Sequence, residues 1–281
     1  MSEHRKSRRT PALAVTAAIA VTAAGAGLAL LPRGEASAAE PQLPPRATGW
    51  DYQIGGAYEP DADVEVVVRD HTAAPADDLY SICYVNAFQS QPNAEDDWDD
   101  DLLLRDAAGE VVYDGAWGEA VLDIRTDEKR ERIADVVGAW MADCAEKGFQ
   151  AVEPDNYDTF YRFDEYISED DAVAMAAELT GRGHELGLAV AQKNAVELVD
   201  RRDEAGFDFV VAENCGQWNE CEGYASAYDD RVLVVEYTDG GFDTTCSGWG
   251  DRLSVVKRDL MVLPVGRDGY VRENCPATAG D

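Results

Sequence analysis

Short apolar runs alternate with helical patterns along most of this 281-residue chain, and this alternation restricts the fold more than any other feature. Eight runs have the continuous apolar character of parallel strands that are covered on both faces. They are YQIG (52–55), VEVVV (64–68), YSICYV (80–85), QAVEP (150–154), LAVAQK (188–193), FDFVVAE (207–213), VLVVEY (232–237) and DLMVLPV (259–265). Alternating strands and helices predict a parallel sheet, and eight strands in about 240 residues match a (β/α)8 barrel.

Two of the segments between the strands have clear helical signals. Apolar residues in 127–147 recur at the spacing of one helix face, and Gly148 follows at the position of a C-terminal cap. A second helix is expected to begin at Ser168, with Asp171 three residues later as in a capping box. The alternative fold, a doubly wound open sheet, would want a GxGxxG turn after an early strand, and IGGAYEP (54–60) is not one. We therefore predict a single-domain α/β protein with a TIM-barrel fold.

The N-terminal part indicates export. Basic residues precede an Ala-rich apolar stretch at 11–31, and ASA at 36–38 is a small-x-small cleavage site. We therefore interpret residues 1–38 as a secretory signal peptide, 39–48 as a flexible linker and 49–281 as the barrel domain. Because the apolar stretch is long enough to span a bilayer, an uncleaved anchor is the alternative. We expect a secreted, extracellular monomer without stable membrane association after cleavage.

Six cysteines in an exported chain suggest disulfides. Six cysteines allow fifteen pairings, and the sequence alone does not choose among them. Proximity favours Cys215–Cys221, and Cys246–Cys275 would tie down the C-terminal tail, which leaves Cys83–Cys144. The cysteine spacing does not fit a zinc site, so we expect no metal and no cofactor.

The formal net charge of −32 argues against nucleic acid and anionic membranes as partners. Two explanations of this charge remain open. It can serve the solubility of a secreted protein, or it can attract a cationic substrate such as an amino-sugar polymer.

Carboxylates, amides and aromatic rings collect where the predicted strands end, and barrel active sites lie at the carboxyl ends of the strands. Glycoside hydrolysis needs this chemistry, because one carboxyl protonates the leaving oxygen while a second acts as nucleophile or base. Alternate strands point into the same layer of a barrel. Asp155 after the fourth strand and Glu213 after the sixth are therefore the pair that we expect to face each other.

Several blocks of the sequence resemble glycoside hydrolase family 114. They are GFQAVEPDNYD (148–158), LAVAQKN (188–194), VVAENCGQWNEC (210–221) and VVEYTD (234–239), together with WDYQIGG (50–56), SICYVNAF (81–88) and VLDIR (121–125). The resemblance implies a (β/α)8 barrel with endo-α-1,4-polygalactosaminidase activity on cationic galactosamine polymers. It also implies that Asp155 and Glu213 are the catalytic carboxylates. The chain departs from the usual family residues at Ala212, Asn214 and Asn86, and both carboxylates are kept.

Roles follow for the residues at the strand ends. We expect Asp155 to be the nucleophile or base, Glu213 the acid, and Lys193 the group that keeps Asp155 ionised. Substrate-binding residues are expected to be Asp51, Tyr84, Asn156, Lys193, Asn194, Glu236 and Tyr237, with Trp218 as a stacking surface for a sugar. Glu153 is either part of the site or a structural hydrogen-bond acceptor.

Two other functions compete with this one. A barrel glycosidase that acts on chitosan or another glycan would share the acids and differ in its subsites. A carbohydrate-binding barrel without turnover would bind a polymer and lose no activity on replacement of Asp155 or Glu213.

Overall fold

The computed structural model describes residues 40–276, and in this range eight parallel strands form the wall of a nearly closed barrel. These strands are β1 (Trp50–Gln53), β2 (Val66–Asp70), β3 (Tyr80–Asn86), β4 (Ala151–Asp155), β5 (Ala189–Lys193), β6 (Phe209–Glu213), β7 (Val232–Glu236) and β8 (Ser254–Arg258). Each strand pairs in parallel with the next along the chain, and a short antiparallel strand, β9 (Arg272–Asn274), flanks β8. The prediction of a single-domain TIM barrel is confirmed.

Helices follow β3 and each later strand up to β7. They are α1 (Asp127–Lys147), α2 (Thr159–Arg162), α3 (Glu169–Glu185), α4 (Arg202–Ala205), α5 (Cys215–Trp218), α6 (Cys221–Tyr228) and α7 (Asp239–Trp249), with 3-10 turns at Glu95–Asp97, Asp100–Leu102 and Val196–Arg201. Both predicted helix signals are confirmed. Gly148 ends α1 in the left-handed conformation, and Ser168 and Asp171 form a reciprocal capping box at the start of α3.

The eighth strand was placed wrongly by the sequence. The run at 259–265 looks like a buried strand, but the structure has β8 at Ser254–Arg258, paired in parallel with β7. In the run itself Asp259 starts a turn, because its carbonyl accepts from the Val262 N–H and its carboxylate from the Leu263 N–H. Val262 is left-handed with φ 48°. The apolar side chains of Leu260, Met261 and Val262 in this turn line the cavity at the barrel mouth. The actual strand β8 has only a short apolar run before the charged residues Lys257 and Arg258, so the sequence pattern did not indicate it.

Two apolar layers explain why the strands are apolar on both faces. One layer fills the barrel, with Trp50, Tyr52 and Ile82 fully buried, and the other lies between the sheet and the helices, with Ile133, Leu179 and others fully buried. Because successive side chains of a strand point to opposite faces, each strand contributes to both layers. Polar residues are therefore concentrated at the strand ends.

The connection between β3 and α1 is long and bears on the site. It contains a small antiparallel hairpin, Tyr113–Asp114 with Glu119–Ala120, and an isolated antiparallel bridge joins Leu103 to Leu122 outside this hairpin. Two carboxylates of the acidic run in this connection are paired with a cation, since Arg132 bonds to Asp99 and Asp101. The connection folds over the barrel and carries Glu119 to the barrel mouth.

Three disulfides join Cys83 to Cys144, Cys215 to Cys221 and Cys246 to Cys275, so all six cysteines are paired. These are the pairs that proximity and the tail suggested.

The expected signal peptide lies outside the described residues. The segment proposed as a linker contacts the barrel in its described part: the Gln42 carbonyl accepts from the Tyr80 hydroxyl, and the Thr48 N–H donates to the Ser254 hydroxyl. Among residues 40–276 no helix is long and apolar enough to cross a membrane.

Candidate active site

A cavity of about 400 Å³ opens at the carboxyl ends of the strands. This volume lies within the range of small-molecule sites, about 300–1,000 Å³. Its polar lining consists of Asp70, Tyr84, Gln91, Glu119, Asp155, Asn156, Asp158, Arg162, Lys193, Asn194, Glu213, Asn214 and Tyr237. Its apolar lining includes Ile54, Trp117 and the turn Leu260, Met261 and Val262.

Lys193 lies at the base of this cavity and joins its carboxylates. Its Nζ is 3.0 Å from Asp155 Oδ1 and 3.6 Å from both Glu213 Oε2 and Glu153 Oε1. The rings of Tyr52 and Tyr84 each lie 5.9 Å from the same nitrogen, within cation–π distance. Burial alone lowers the pKa of a lysine, but the charges of Asp155 and Glu213 outweigh burial and keep the pKa of Lys193 above its usual value. Lys193 is therefore a fixed positive charge between Asp155 and Glu213.

Asp155 is held as a carboxylate. Its Oδ1 accepts from Lys193 and from the Asn156 N–H at 2.6 Å, and its Oδ2 accepts from the Tyr84 hydroxyl at 2.8 Å. Burial raises the pKa of Asp155, yet the Lys193 charge and these hydrogen bonds outweigh it, so the pKa lies below its usual value. An ionised carboxylate that faces the cavity can act as a nucleophile or a base.

Glu213 is positioned from two neighbouring strands. The Tyr237 hydroxyl donates to Oε1, and the Asn194 side-chain amide donates to Oε2 at 3.1 Å. The Asn194 side-chain oxygen accepts in turn from the Glu213 N–H at 2.7 Å. The Asn194 side-chain amide therefore binds both the backbone and the carboxyl of Glu213. The side chain of Glu213 is 26% exposed and that of Asp155 is 15% exposed. Glu213 is therefore the more accessible of the two carboxyls.

An asparagine follows the key residue of three successive strands: Asn156 after Asp155, Asn194 after Lys193 and Asn214 after Glu213. All three have positive φ, between 52° and 76°, a conformation that asparagine tolerates better than most residues. This bend turns the chain at the strand end and aims each amide at a neighbour. Asn156 donates to the Asn86 side-chain oxygen, and the Asn214 side-chain oxygen accepts from the backbone of Tyr237. The asparagines thus fix the spacing of the strand ends around the cavity.

Glu153 lies one layer below the pair and is fully buried. Its Oε1 accepts from the Tyr52 hydroxyl at 2.8 Å, and its Oε2 has no hydrogen-bond partner in the described chain. Burial raises the pKa of Glu153 to about 8; the charges of Asp155 and Glu213 add to this, and Lys193 and Tyr52 oppose it. The raised pKa favours the neutral form of Glu153, and the absence of Glu153 from the cavity lining supports its interpretation as a structural hydrogen-bond acceptor.

The structure brings together Tyr84, Asn156, Lys193, Asn194 and Tyr237 around Asp155 and Glu213. It does not bring Asp51 or Glu236 there, although both were expected to bind substrate. Both are fully buried: Asp51 pairs with Arg258 at 3.0 Å, and Glu236 accepts from the Gly216 N–H at 2.7 Å and the Thr245 hydroxyl at 2.7 Å. Asp51 therefore neutralises a buried arginine of the barrel, Glu236 binds the backbone of α5, and neither carboxylate lines the cavity.

Trp218 has a different position. It ends α5, is 62% exposed and does not line the cavity, so any contact with a sugar would lie outside the central site.

Sequence reasoning missed Glu119 and Arg162 and gave Asp158 no role, although all three line the cavity. Arg162 on α2 contacts Asp114 and bonds to Asp158 at 2.9 Å and to the Asn156 side-chain oxygen at 2.8 Å. Asp158 and Arg162 are four residues apart just after a strand, a spacing that signals an ion pair. Glu119 lies in a long connection with no strand-end signal, so no sequence pattern located it.

The arrangement suits acid–base chemistry on a glycosidic bond. Within residues 40–276 the one group with the spacing of metal ligands is Cys215, Cys221 and Glu236, and its two sulfurs form a disulfide. Two carboxyls that face one cavity at the mouth of a TIM barrel fit the two-carboxyl chemistry of barrel glycoside hydrolases.

Comparisons with known proteins agree with this class. The model of glycoside-hydrolase family GH114 matches residues 32–279. The chain belongs to this family and is a glycosidase. No curated protein sequence matches it.

Solved structures share the fold at low identity. The crystal structure of Aspergillus fumigatus Ega3 in complex with galactosamine is 20% identical with a TM-score of 0.69, over 84% of this chain and 98% of that chain. The glycoside hydrolase domain of PelA from Pseudomonas aeruginosa is 14% identical with a TM-score of 0.52, over 78% of this chain and 96% of that chain.

Proposed function

We propose that the protein is a secreted, endo-acting hydrolase of α-1,4-linked galactosamine polymers, with Asp155 and Glu213 as its catalytic carboxyls. The observation that carries the proposal is the position of Lys193 Nζ, within 3.6 Å of both carboxylates at the base of one cavity. A structural ion pair needs one carboxylate. Two of them, both accessible from the same cavity, form the arrangement that cleavage of a glycosidic bond requires.

Asp155 is the nucleophile in this proposal. Lys193, Tyr84 and the Asn156 N–H stabilise its charged form, which can attack the anomeric carbon. Glu213 donates its proton to the leaving oxygen as the glycosidic bond breaks. It then takes a proton from the water that releases the sugar from Asp155. The greater exposure of Glu213 suits a group that exchanges protons with a leaving hydroxyl and then with water.

The shared ammonium limits the separation of the two carboxyls, and a retaining mechanism fits within this limit. Asp155 Oδ1 lies 3.0 Å and Glu213 Oε2 lies 3.6 Å from Lys193 Nζ, so these two oxygens are at most about 6.6 Å apart. Retaining glycosidases separate their carboxyls by about 5–5.5 Å, whereas inverting enzymes leave about 6.5–9.5 Å for a water molecule. A covalent glycosyl intermediate on Asp155 is therefore part of the proposal, and the anomeric configuration of the first product tests it.

An amino-sugar substrate is supported by the charge of the cavity. Its lining contains the carboxyls Asp70, Glu119, Asp155, Asp158 and Glu213 and only two cationic side chains, Arg162 and Lys193. Both cations are engaged by carboxylates of the chain, which leaves acceptors for an ammonium group. The net charge of −32 would draw a polycation toward this surface. The similar Ega3 structure was solved with galactosamine.

Secretion is supported by the N-terminal sequence and the disulfides. The predicted signal peptide at 1–38 would direct export, and three disulfides are typical of an oxidising compartment. We expect the exported protein to act as a monomer on an extracellular polysaccharide.

The test is hydrolysis of a defined polymer. Purified protein is incubated with deacetylated α-1,4-galactosamine polymer and with chitosan, and new reducing ends are counted. Asp155→Asn and Glu213→Gln should each lose at least about a hundredfold in rate, because each removes one half of the two-carboxyl chemistry. Asp143→Asn and Glu146→Gln, which change the same residue types on the exposed face of α1, are the matched controls and should remain active.

The products separate the competing functions. Cleavage of the galactosamine polymer alone into mid-length fragments supports an endo-acting galactosaminidase, and proton NMR of the first product gives its anomeric configuration. Equal cleavage of chitosan would indicate a broader amino-sugar hydrolase. Binding without new reducing ends would refute the catalytic proposal and indicate a glycan-binding barrel.

A further inference from the structure

Glu119 is a carboxyl in the cavity wall that the two-carboxyl chemistry does not use. It belongs to the hairpin in the β3–α1 connection, and its Oε2 accepts from the Asn86 side-chain amide at 3.0 Å. With its amide nitrogen turned toward Glu119, Gln89 donates to the same oxygen at 2.7 Å. One oxygen is therefore saturated by neutral donors. The other, Oε1, has no hydrogen-bond donor among residues 40–276 although the residue lines the cavity.

No cation of the described chain pairs with Glu119. Arg162 is the cation whose charge reaches it, but that guanidinium contacts Asp114 and Asp158 instead. Burial raises the pKa of Glu119 to about 7, and the nearby charges of Asp155 and Asp114 act in the same direction against the Asn86 hydrogen bond. A half-buried carboxyl with neutral donors and no counter-charge gains most from a cation that enters the cavity.

A chain of amides places this carboxyl on the same wall as the nucleophile. The Asn86 side-chain oxygen accepts from the Asn156 side-chain amide at 2.9 Å, and the Asn156 N–H donates to Asp155. Glu119 and Asp155 are thus tied to one rigid row of side chains at the ends of β3 and β4. A sugar whose anomeric carbon meets Asp155 would present its ring substituents to this row.

We propose that Glu119 binds the ammonium group of an amino-sugar residue next to Asp155 and so makes the site selective for N-deacetylated sugar. This inference rests on the proposed function and deepens it. An ammonium would bond to Oε1 and supply the missing counter-charge. An N-acetyl group supplies no charge, and its bulk would cover Oε1 without compensating it. The selectivity therefore has two sources: the attraction between the ammonium group and Glu119, and the cost of covering the Glu119 carboxyl with an N-acetyl group.

The test compares Glu119→Gln with wild type on two forms of one polymer, fully deacetylated and fully N-acetylated α-1,4-galactosamine. The variant removes the charge and keeps the shape. We expect kcat/KM on the deacetylated polymer to fall at least about tenfold and kcat/KM on the acetylated polymer to stay or rise, because only the first loses a charge pair. Glu110→Gln changes an exposed glutamate of the same connection and should leave the ratio of the two values at its wild-type level.

Two outcomes would overturn the inference. An equal loss of kcat/KM on both polymers would show that Glu119 serves the chemistry or the position of Asp155. An unchanged ratio of the two kcat/KM values, with no loss on either polymer, would show that Glu119 does not distinguish an ammonium group from an N-acetyl group.

A binding measurement keeps the inference testable if neither polymer is cut. Calorimetric titration with galactosamine and with N-acetylgalactosamine requires no turnover. Wild type should prefer galactosamine, and Glu119→Gln should lose that preference. A preference that survives the substitution, or none in wild type, refutes the role of Glu119, whereas absence of cleavage alone refutes only the proposed activity.

Discussion

Glu153→Gln should stabilise the protein at pH 7 although it alters a buried residue directly below Asp155 and Glu213, the proposed catalytic pair. In the folded state burial holds the pKa of Glu153 at about 8, whereas the unfolded chain releases the proton near the ordinary glutamate value, about 4.3. Between these two pH values the folded state binds the extra proton, so the free energy of unfolding falls as pH rises. The folded protein therefore carries a penalty at pH 7 that a glutamine does not.

The size of the effect follows from the pKa difference. One pKa unit corresponds to about 1.4 kcal/mol, and pH 7 lies about 2.7 units above the unfolded value, so the penalty removed by the substitution at pH 7 is about 4 kcal/mol at most. Glutamine keeps an oxygen for the Tyr52 hydroxyl and is neutral, as Glu153 is at that pH. We therefore expect hydrolytic activity at pH 7 to be retained.

The assay is equilibrium unfolding in urea at pH 4 and pH 7, followed by tryptophan fluorescence with the disulfides intact. Wild type and Glu153→Gln should coincide at pH 4, and the variant should unfold at higher urea at pH 7. Asp51→Asn is the contrasting control, because it leaves the buried Arg258 without its partner and should destabilise by about 3–5 kcal/mol at pH 7. A variant at Glu153 that is equally destabilised at both pH values would refute the reasoning, since Glu153 would then be an ionised partner of Lys193.

Three further predictions follow from the same structure. Lys193→Met should raise the pKa of Asp155, so the acidic limb of the kcat/KM profile should move to higher pH; an unmoved limb would assign that limb to another group. His184→Gln should lower the melting temperature at pH 5 more than at pH 9, because the hydrogen bond to Asp208 raises the pKa of His184 and contributes stability that is lost as pH rises through that value. Trp218→Ala should change stability by no more than about 0.5 kcal/mol, since the ring is largely exposed. If Trp218 stacks on an outlying sugar, the same variant should raise KM for long polymer but not for short oligomers, and an equal KM for both would exclude that role.

The sequence was informative where one strand or one helix decides the outcome. Continuous apolar runs indicated seven of the eight barrel strands, and Gly148 and Ser168 marked helix ends, because these signals act over a few neighbouring residues. The prediction of a strand at 259–265 was wrong for the same reason, because it too used only neighbouring residues. Its apolar residues are typical of a strand, and only its contacts show that Asp259 begins a turn whose side chains face the mouth.

The candidate site divides in the same way. Asp155, Lys193 and Glu213 were found because parallel strands deliver their last residues to one end of a barrel, a rule that needs no coordinates. The sequence thus determined the barrel, the family and the catalytic candidates. Only the tertiary structure decided that Asp51 and Glu236 are buried and bind structural partners. It also decided that Glu119, in the β3–α1 connection, reaches the cavity. The direction of a side chain and its burial depend on residues far away in the chain, and burial also sets whether a carboxyl such as Glu153 carries a charge.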